Sequence, residues 1–127
     1  MNQLAAFARE KYLSLETFRK DGTGVRTPIW FAEDEGKFYG YTMADAYKVK
    51  RIRNNSKVRV APCNMRGNVQ GEWVEGRARV LDIDANAAEY AASQQLLNAK
   101  YGFIKRVLDL LAKLRQHRRV GIVITFD

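Results

Sequence analysis

The sequence predicts a mainly β protein with some α: an antiparallel β-barrel of about six strands in a Greek-key-like order, with a short helix after strand 3 and a helical pair before the last strand. Three observations carry this. Short segments that alternate apolar and polar side chains recur along the chain, separated by turn chemistry such as Asp21-Gly22 and Glu35-Gly36. Two helical patterns then run together before a last alternating segment closes the sequence. At 127 residues, 46% hydrophobic and with only 2 Pro and 9 Gly, the chain has the length and composition of one packed domain, read as residues 1–127.

The elements follow in order. Gln3–Glu10 has helical spacing (Leu4, Phe7) and reads as a short N-terminal helix. Tyr12–Phe18 alternates and is expected to be a strand; Lys20–Gly24 turns, with Asp-Gly the favoured hairpin pair. Val25–Ala32, rich in β-branched and aromatic residues, is the second strand, Glu33–Gly36 the next turn, and Lys37–Met43 the third strand. Ala46–Asn54 fits two turns of helix with Val49 and Ile52 on one face and Asp45 placed to cap its first amides. Val58 and Val60 against Arg59 and Ala61 mark a fourth strand, with Pro62 as its end, an edge or a bulge. Met65–Gly71 is a loop and Glu72–Ile83 a longer strand. Asp84 is the expected N-cap of a helix over Ala85–Asn98, broken by Lys100-Tyr101-Gly102. Phe103–Gln116 is strongly amphipathic, with Phe103, Val107, Leu110 and Leu114 on one face, and Val120–Phe126 is the last strand.

Composition excludes several functions. No apolar run approaches the roughly 20 residues of a membrane span, and the N-terminal residues lack the pattern of a secretory signal, so a cytoplasmic protein is expected. The single Cys63 has no disulfide partner and reads as a small buried hydrophobe; the single His117, inside Arg115-Gln116-His117-Arg118-Arg119, reads as an exposed bystander. No metal site is expected. The acids Glu33, Asp34 and Glu35 belong to a solvated turn, and no nucleotide-binding glycine motif or zinc-protease motif occurs. No residue earns a catalytic role, so redox chemistry here requires a bound cofactor, with the protein supplying orientation and electrostatics.

A net charge of +8 calls for an anionic partner. Six cations fall within Lys48–Arg59 with no acid among them. A helix entered from the polar turn Tyr41–Asp45 offers free N-terminal amides suited to a phosphate, with the Thr42 hydroxyl and Lys48 or Arg51 as further contacts. Lys50, Arg53, Lys57 and Arg59 divide between that role and plain solvated surface.

RTPIWF (26–31), YT (41–42) and YKVKRIRNNSKVRVAPC (47–63) together resemble the pyridoxamine-5′-phosphate-oxidase-like flavin-binding split barrels, and within them the small branch of F-420 (deazaflavin)-dependent oxidoreductases. GEWVEGRARVL (71–81) and the stretch 101–126 share the likeness, which covers nearly the whole chain. The resemblance implies a split β-barrel, a homodimer with cofactor at the subunit interface, and hydride transfer between F-420, or FMN, and a small unsaturated substrate. It implies that Arg26, Thr27, Pro28, Ile29, Trp30 and Phe31 run along the ring while Tyr41, Thr42, Tyr47 and Lys48 hold the ribityl-phosphate, with Arg51 beside them. The partner subunit's contact is expected from the region Gln70–Trp73, and Trp73, Met65 and the helical pair are expected to face the substrate. Ser56 stands where the family usually has Pro, and Tyr47 where a small residue or Arg is common, so its bulk narrows the cofactor channel. Because Thr27, Ile29 and Phe31 face opposite to Pro28 and Trp30 along one strand, backbone groups are the expected ring contacts. The excess cations Lys50, Arg51 and Arg53 suit the oligoglutamate tail of F-420, which favours it over FMN. Two other readings stand beside this one: a flavin, deazaflavin or tetrapyrrole carrier without turnover, and a nucleic-acid-binding small barrel, which needs Trp30, Tyr41 or Trp73 exposed beside the basic tract.

Overall fold

The computed structural model describes residues 4–116 and 118–126. Its strands are β1 (Tyr12–Phe18), β2 (Gly24–Asp34), β3 (Lys37–Met43), β4 (Lys57–Cys63), β5 (Val74–Leu81) and β6 (Arg119–Thr125), and its helices α1 (Tyr47–Asn54), α2 (Ala87–Tyr101) and α3 (Phe103–Leu114). All pairings are antiparallel and the sheet closes in the order β1-β2-β3-β6-β5-β4. β4 returns beside β1 through α1, the 4-1-2-3 arrangement of a Greek key. The split-barrel architecture expected from the sequence is therefore the one present, with α1 after the third strand and α2–α3 before the last.

The inward rows fill the barrel: Leu13, Leu15, Ile29, Phe31, Phe38, Val58, Val60, Ile122 and Ile124 are buried in one cluster. Phe7, from a 3-10 turn at Ala5–Phe7, packs on Phe31 and Phe38, and Ile52 enters the same cluster from α1. Each fully buried side chain of this kind contributes about 1.5–3 kcal/mol of transfer free energy. The β2–β3 hairpin turns at Glu35 and Gly36, both at positive φ, the pattern of a type I′ turn, which glycine adopts without strain.

Several boundaries differ from the sequence expectation. The N-terminal element is one 3-10 turn rather than a helix over Gln3–Glu10, and Gln3 lies outside the described residues. Asp45 does not cap α1: Ala46 holds the N-cap position with no side-chain bond. α2 begins after Asn86, not Asp84, because the Asn86 side chain accepts from the Asp82 amide and closes that turn. It also runs on through Lys100 and Tyr101 to Gly102, since the Tyr101 ring stacks on Trp30 and its hydroxyl bonds to β2. Pro62 sits inside β4 rather than ending it, and β5 spans Val74–Leu81, shorter than Glu72–Ile83.

The outer face of β1 carries a buried charge. Glu16 is 4% exposed and accepts from Arg26 at 2.8 Å and Arg59 at 2.6 Å, and both guanidiniums lie over the Trp73 ring, at 4.5 and 5.0 Å. Burial pushes the carboxyl up, but the bonds and charges of Arg26 and Arg59 outweigh it and hold it below its ordinary value. A carboxylate depressed in the folded state stabilises the fold above its unfolded value near 4.5 and loses that contribution as pH falls further. Urea denaturation of Glu16→Gln at neutral pH is expected to show a loss of about 1–3 kcal/mol. The gap from wild type should shrink on titration below pH 4.5, and a gap independent of pH would remove the charge from this account.

Candidate functional site

The barrel is open along one seam. β2 and β3 pair only over Phe31–Asp34 with Lys37–Gly40, although β2 continues along β1 as far as Gly24 and β3 along β6 as far as Met43. Gly40 sits where the strands part: a Cβ there would come within 2.9 Å of the Trp30 carbonyl oxygen. Beyond it, the backbone groups of β2 that face away from β1, the Pro28 carbonyl and the N–H and C=O of Trp30, have no β3 ladder partner in register.

That opening is a cleft of about 280 Å³ lined by Tyr12, Pro28, Ile29, Trp30, Tyr41, Thr42 and Lys48. Six of the eleven residues singled out in the sequence therefore meet at one place, though Ile29 keeps its side chain in the core cluster. The aromatic walls are held from behind. Trp30 stacks on Tyr101 with centroids 4.3 Å apart and planes 5° from parallel. The Tyr101 hydroxyl lies 2.9 Å from the Phe31 N–H, which donates to it, and 2.6 Å from the Lys11 carbonyl, so α2 takes over where β1 ends. Burial pushes that phenol far above its ordinary value, so it stays protonated. Tyr41 has the Lys105 amine 5.2 Å from its ring centre and the Arg119 guanidinium at 4.8 Å. Lys105 is fully buried and bonded to Gln94, Asn98 and Asp109, and Asp109 also pairs with Arg119.

Lys48 reaches the cleft from the first turn of α1 because Val49 and Ile52 must face the core. Its ammonium has no ion pair or hydrogen bond among the described residues. Burial lowers its pKa, and the charge of Arg51 lowers it further. Arg51 donates to the Thr17 hydroxyl at 2.6 Å and pairs with no described carboxylate; burial and then the charge of Arg19 lower it in turn. Arg19, Arg51 and Lys48 thus form a row in which each cation disfavours the next. The row borders a groove of about 520 Å³ lined by Phe18, Arg19, Lys20, Tyr47, Lys50, Arg51, Asn54 and Asn55, without an acid.

The other expected site residues fall elsewhere. Arg26 is held by Glu16 and Trp73 instead of facing the cleft, and Thr27 lies opposite Leu15 on the inward row. Tyr47 and Arg51 line the groove rather than the cleft, and Phe31 is core. Arg53 pairs with Asp82 at 2.9 Å, Lys57 with Glu75 and Arg59 with Glu16, so half of the basic tract serves structure. Arg19, Lys20 and Tyr12 went unnoticed in the sequence; the basic pair just ahead of the Asp21-Gly22 turn was the signal for the first two. Trp73, expected at the substrate, is covered by two guanidiniums, while Met65 is exposed. Cys63 is buried, and His117 lies outside the described residues. No helix among the described residues is long and apolar enough to cross a membrane.

The fold is shared with solved structures of low identity. HutZ, the heme storage protein from Vibrio cholerae, is 13% identical over 94% of this chain and 83% of that chain, with a TM-score of 0.70. A conserved hypothetical protein from Mycobacterium tuberculosis is 18% identical over 99% and 81%, with a TM-score of 0.67. An F-420 reductase is 20% identical over 98% and 93%, with a TM-score of 0.59. No curated protein gives a significant sequence match. The family model described as pyridoxamine 5′-phosphate oxidase matches residues 2–126. Because that match takes in every strand of the barrel and both sides of its seam, the chain belongs to the pyridoxamine 5′-phosphate oxidase family.

Proposed function

We propose that the chain is a cytoplasmic oxidoreductase that binds F-420 in preference to FMN at the interface of a homodimer and serves a small unsaturated substrate. The observation that carries the reading is the half-buried, unpaired Lys48 at the open seam, continued by cations that repel one another. Such an arrangement costs free energy until an anion enters. When bound, the cofactor ring supplies the hydride chemistry, for which this chain offers no side chain of its own.

The residues present fit such a group. Lys48 and the Thr42 hydroxyl would hold its phosphate, helped by the uncapped first amides of α1. At the strand edge the Pro28 and Trp30 carbonyls and the Trp30 N–H would be available to the ring. Trp30 and Tyr41, braced by Tyr101 and by Lys105 with Arg119, form a wall that keeps its shape when a ligand arrives. FMN carries one phosphate and would leave the Arg19–Arg51 repulsion unrelieved, whereas the tail carboxylates of F-420 would reach Arg19, Lys20, Lys50 and Arg51. Arg53, bound to Asp82, leaves that set and Arg19 and Lys20 join it. A nucleic-acid role finds less support, because Trp30, Tyr41 and Trp73 are each engaged by neighbours within the chain.

Fluorescence titration of cofactor-free protein tests the reading. F-420 is expected to bind more tightly than FMN, and Lys48→Ala to weaken both by about 1.5–3 kcal/mol, or roughly 10- to 150-fold. Lys48→Ala should leave the thermal midpoint of the cofactor-free protein unchanged or raised, since no ion pair is lost. The double variant Arg19→Ala/Lys50→Ala should weaken F-420 and spare FMN. Tight FMN binding alone would move the chain to flavin, and binding of neither cofactor would sink the proposal and turn attention to oligonucleotides. Binding without hydride transfer to any acceptor would make it a carrier.

A further inference from the structure

Beyond the branch point, where β2 and β3 are paired, the last turns of α2 and the Ala5–Phe7 turn border a second pocket of about 550 Å³. Its floor is apolar: Phe7, Phe31 and Phe38, each at most 2% exposed, pack on one another with ring centroids 5.0 to 6.0 Å apart. Leu96 and Ala99 line it from α2. The three rings belong to the barrel core, so this surface is preformed, and its volume falls within the range of small-molecule sites. One cation lines it. Lys100 is exposed as a residue, but its amine is folded back over Phe31, donating to the carbonyl oxygen at 2.8 Å and lying 3.7 Å from the ring centroid. An ammonium has three donors, and this one meets no second acceptor and no carboxylate among the described residues. The charged groups that face it are Glu10, just before β1, and Glu33 on β2; neither pairs with it, and the neighbouring Tyr101 phenol stays protonated. Burial pushes the Lys100 pKa down to about 8, against the opposing pull of the Glu10 charge. A desolvated charge therefore borders an apolar surface, and an anion with an apolar tail completes that arrangement.

We infer that this pocket is a ligand site separate from the cleft and takes a medium-chain aliphatic carboxylate, its head on the Lys100 amine and its tail along Phe7, Phe38 and Leu96. An uncharged chain leaves two amine donors unmet, a cation is repelled, and a small inorganic anion gains nothing from the rings. A carboxylate on the amine favours its charged form and offsets the burial that now opposes it. The pocket and the cleft share no lining residue. They are neighbours through the Phe31 peptide, whose carbonyl accepts from Lys100 and whose N–H donates to Tyr101, the ring stacked on Trp30.

Isothermal titration calorimetry of the full chain with decanoate at neutral pH tests the inference, with far-UV circular dichroism to verify folding. One decanoate per chain is expected. Decanol and acetate, which each lack half of the ligand, should bind at least about 10-fold more weakly. Lys100→Gln should weaken decanoate by about 10- to 100-fold, whereas Lys113→Gln, on the exposed side of α3, should leave it unchanged. If Lys100→Gln fails to fold, Ala99→Phe, which keeps the amine and narrows the pocket, makes the same measurement and should also weaken binding. Only the ammonium holds a carboxylate, so wild-type affinity should fall roughly tenfold from pH 7 to pH 9, through the Lys100 value of about 8. Lys100→Arg, charged throughout that range, should bind without this pH dependence. Decanol bound as tightly as decanoate, or decanoate affinity untouched by Lys100→Gln, would assign the heat to apolar adsorption and overturn the inference. Absence of decanoate binding overturns it as well, and none of these outcomes depends on which cofactor occupies the cleft.

Discussion

Beyond the pair of Phe31 with Gly40, β2 and β3 no longer share hydrogen bonds, and the rest of the molecule is organised around that separation. A barrel usually satisfies every strand edge by closure. Here closure is kept by the remaining ladders, and a short stretch of two edges is released into a cleft. The cost is contained because the separated strands are anchored on their other sides, β2 by β1 and then by the Tyr101 hydroxyl, and β3 by β6. Gly40 allows the close approach at the branch point.

The charges divide along the same line. Cations on the far side of β1 and on the β4–β5 ladder are neutralised by Glu16 and Glu75, and Arg53 finds Asp82. These bonds differ in weight: Glu16 is buried and loses a carboxylate's full solvation if unpaired, whereas the exposed Lys57–Glu75 pair at 3.9 Å contributes little. On the seam side no described carboxylate answers Lys48, Lys50 or Arg51, and the β1–β2 turn adds Arg19 and Lys20. A uniform basic tract in sequence thus becomes two populations in space, one paired with carboxylates and one with no carboxylate partner among the described residues.

Much of the barrel was legible because its signals are local. Period-two alternation and the Asp-Gly and Glu-Gly turns place β1 and β3 at the residues read from sequence, and Val49 and Ile52 identify the inward face of α1. Helix caps were legible only in part, since Asp45 and Asp84 are acceptable caps by type while the caps in use depend on where the strand before each helix releases the chain. The amphipathic pattern of α3 was also plain, but the pattern does not state which way the helix faces. Lys105 decides that, through Gln94 and Asn98 on α2 and through Asp109, which Arg119 on β6 holds in turn.

For the site, Thr42 and Lys48 were read from the polar turn and the helix that follows it, and Pro28, Ile29, Trp30 and Tyr41 from the family resemblance; the structure brings these six to one cleft. The withdrawal of Arg26 to Glu16, the engagement of Trp73 by two arginines and the recruitment of Arg19 and Lys20 did not follow from the sequence. Sequence determined the elements and the chemical inventory of this protein, since hydrogen-bonded periodicity and side-chain type act over a few residues. The tertiary structure alone decided which charges are spent on one another and which stay unpaired, because Coulomb energy and desolvation depend on distance and burial between segments that the chain keeps tens of residues apart.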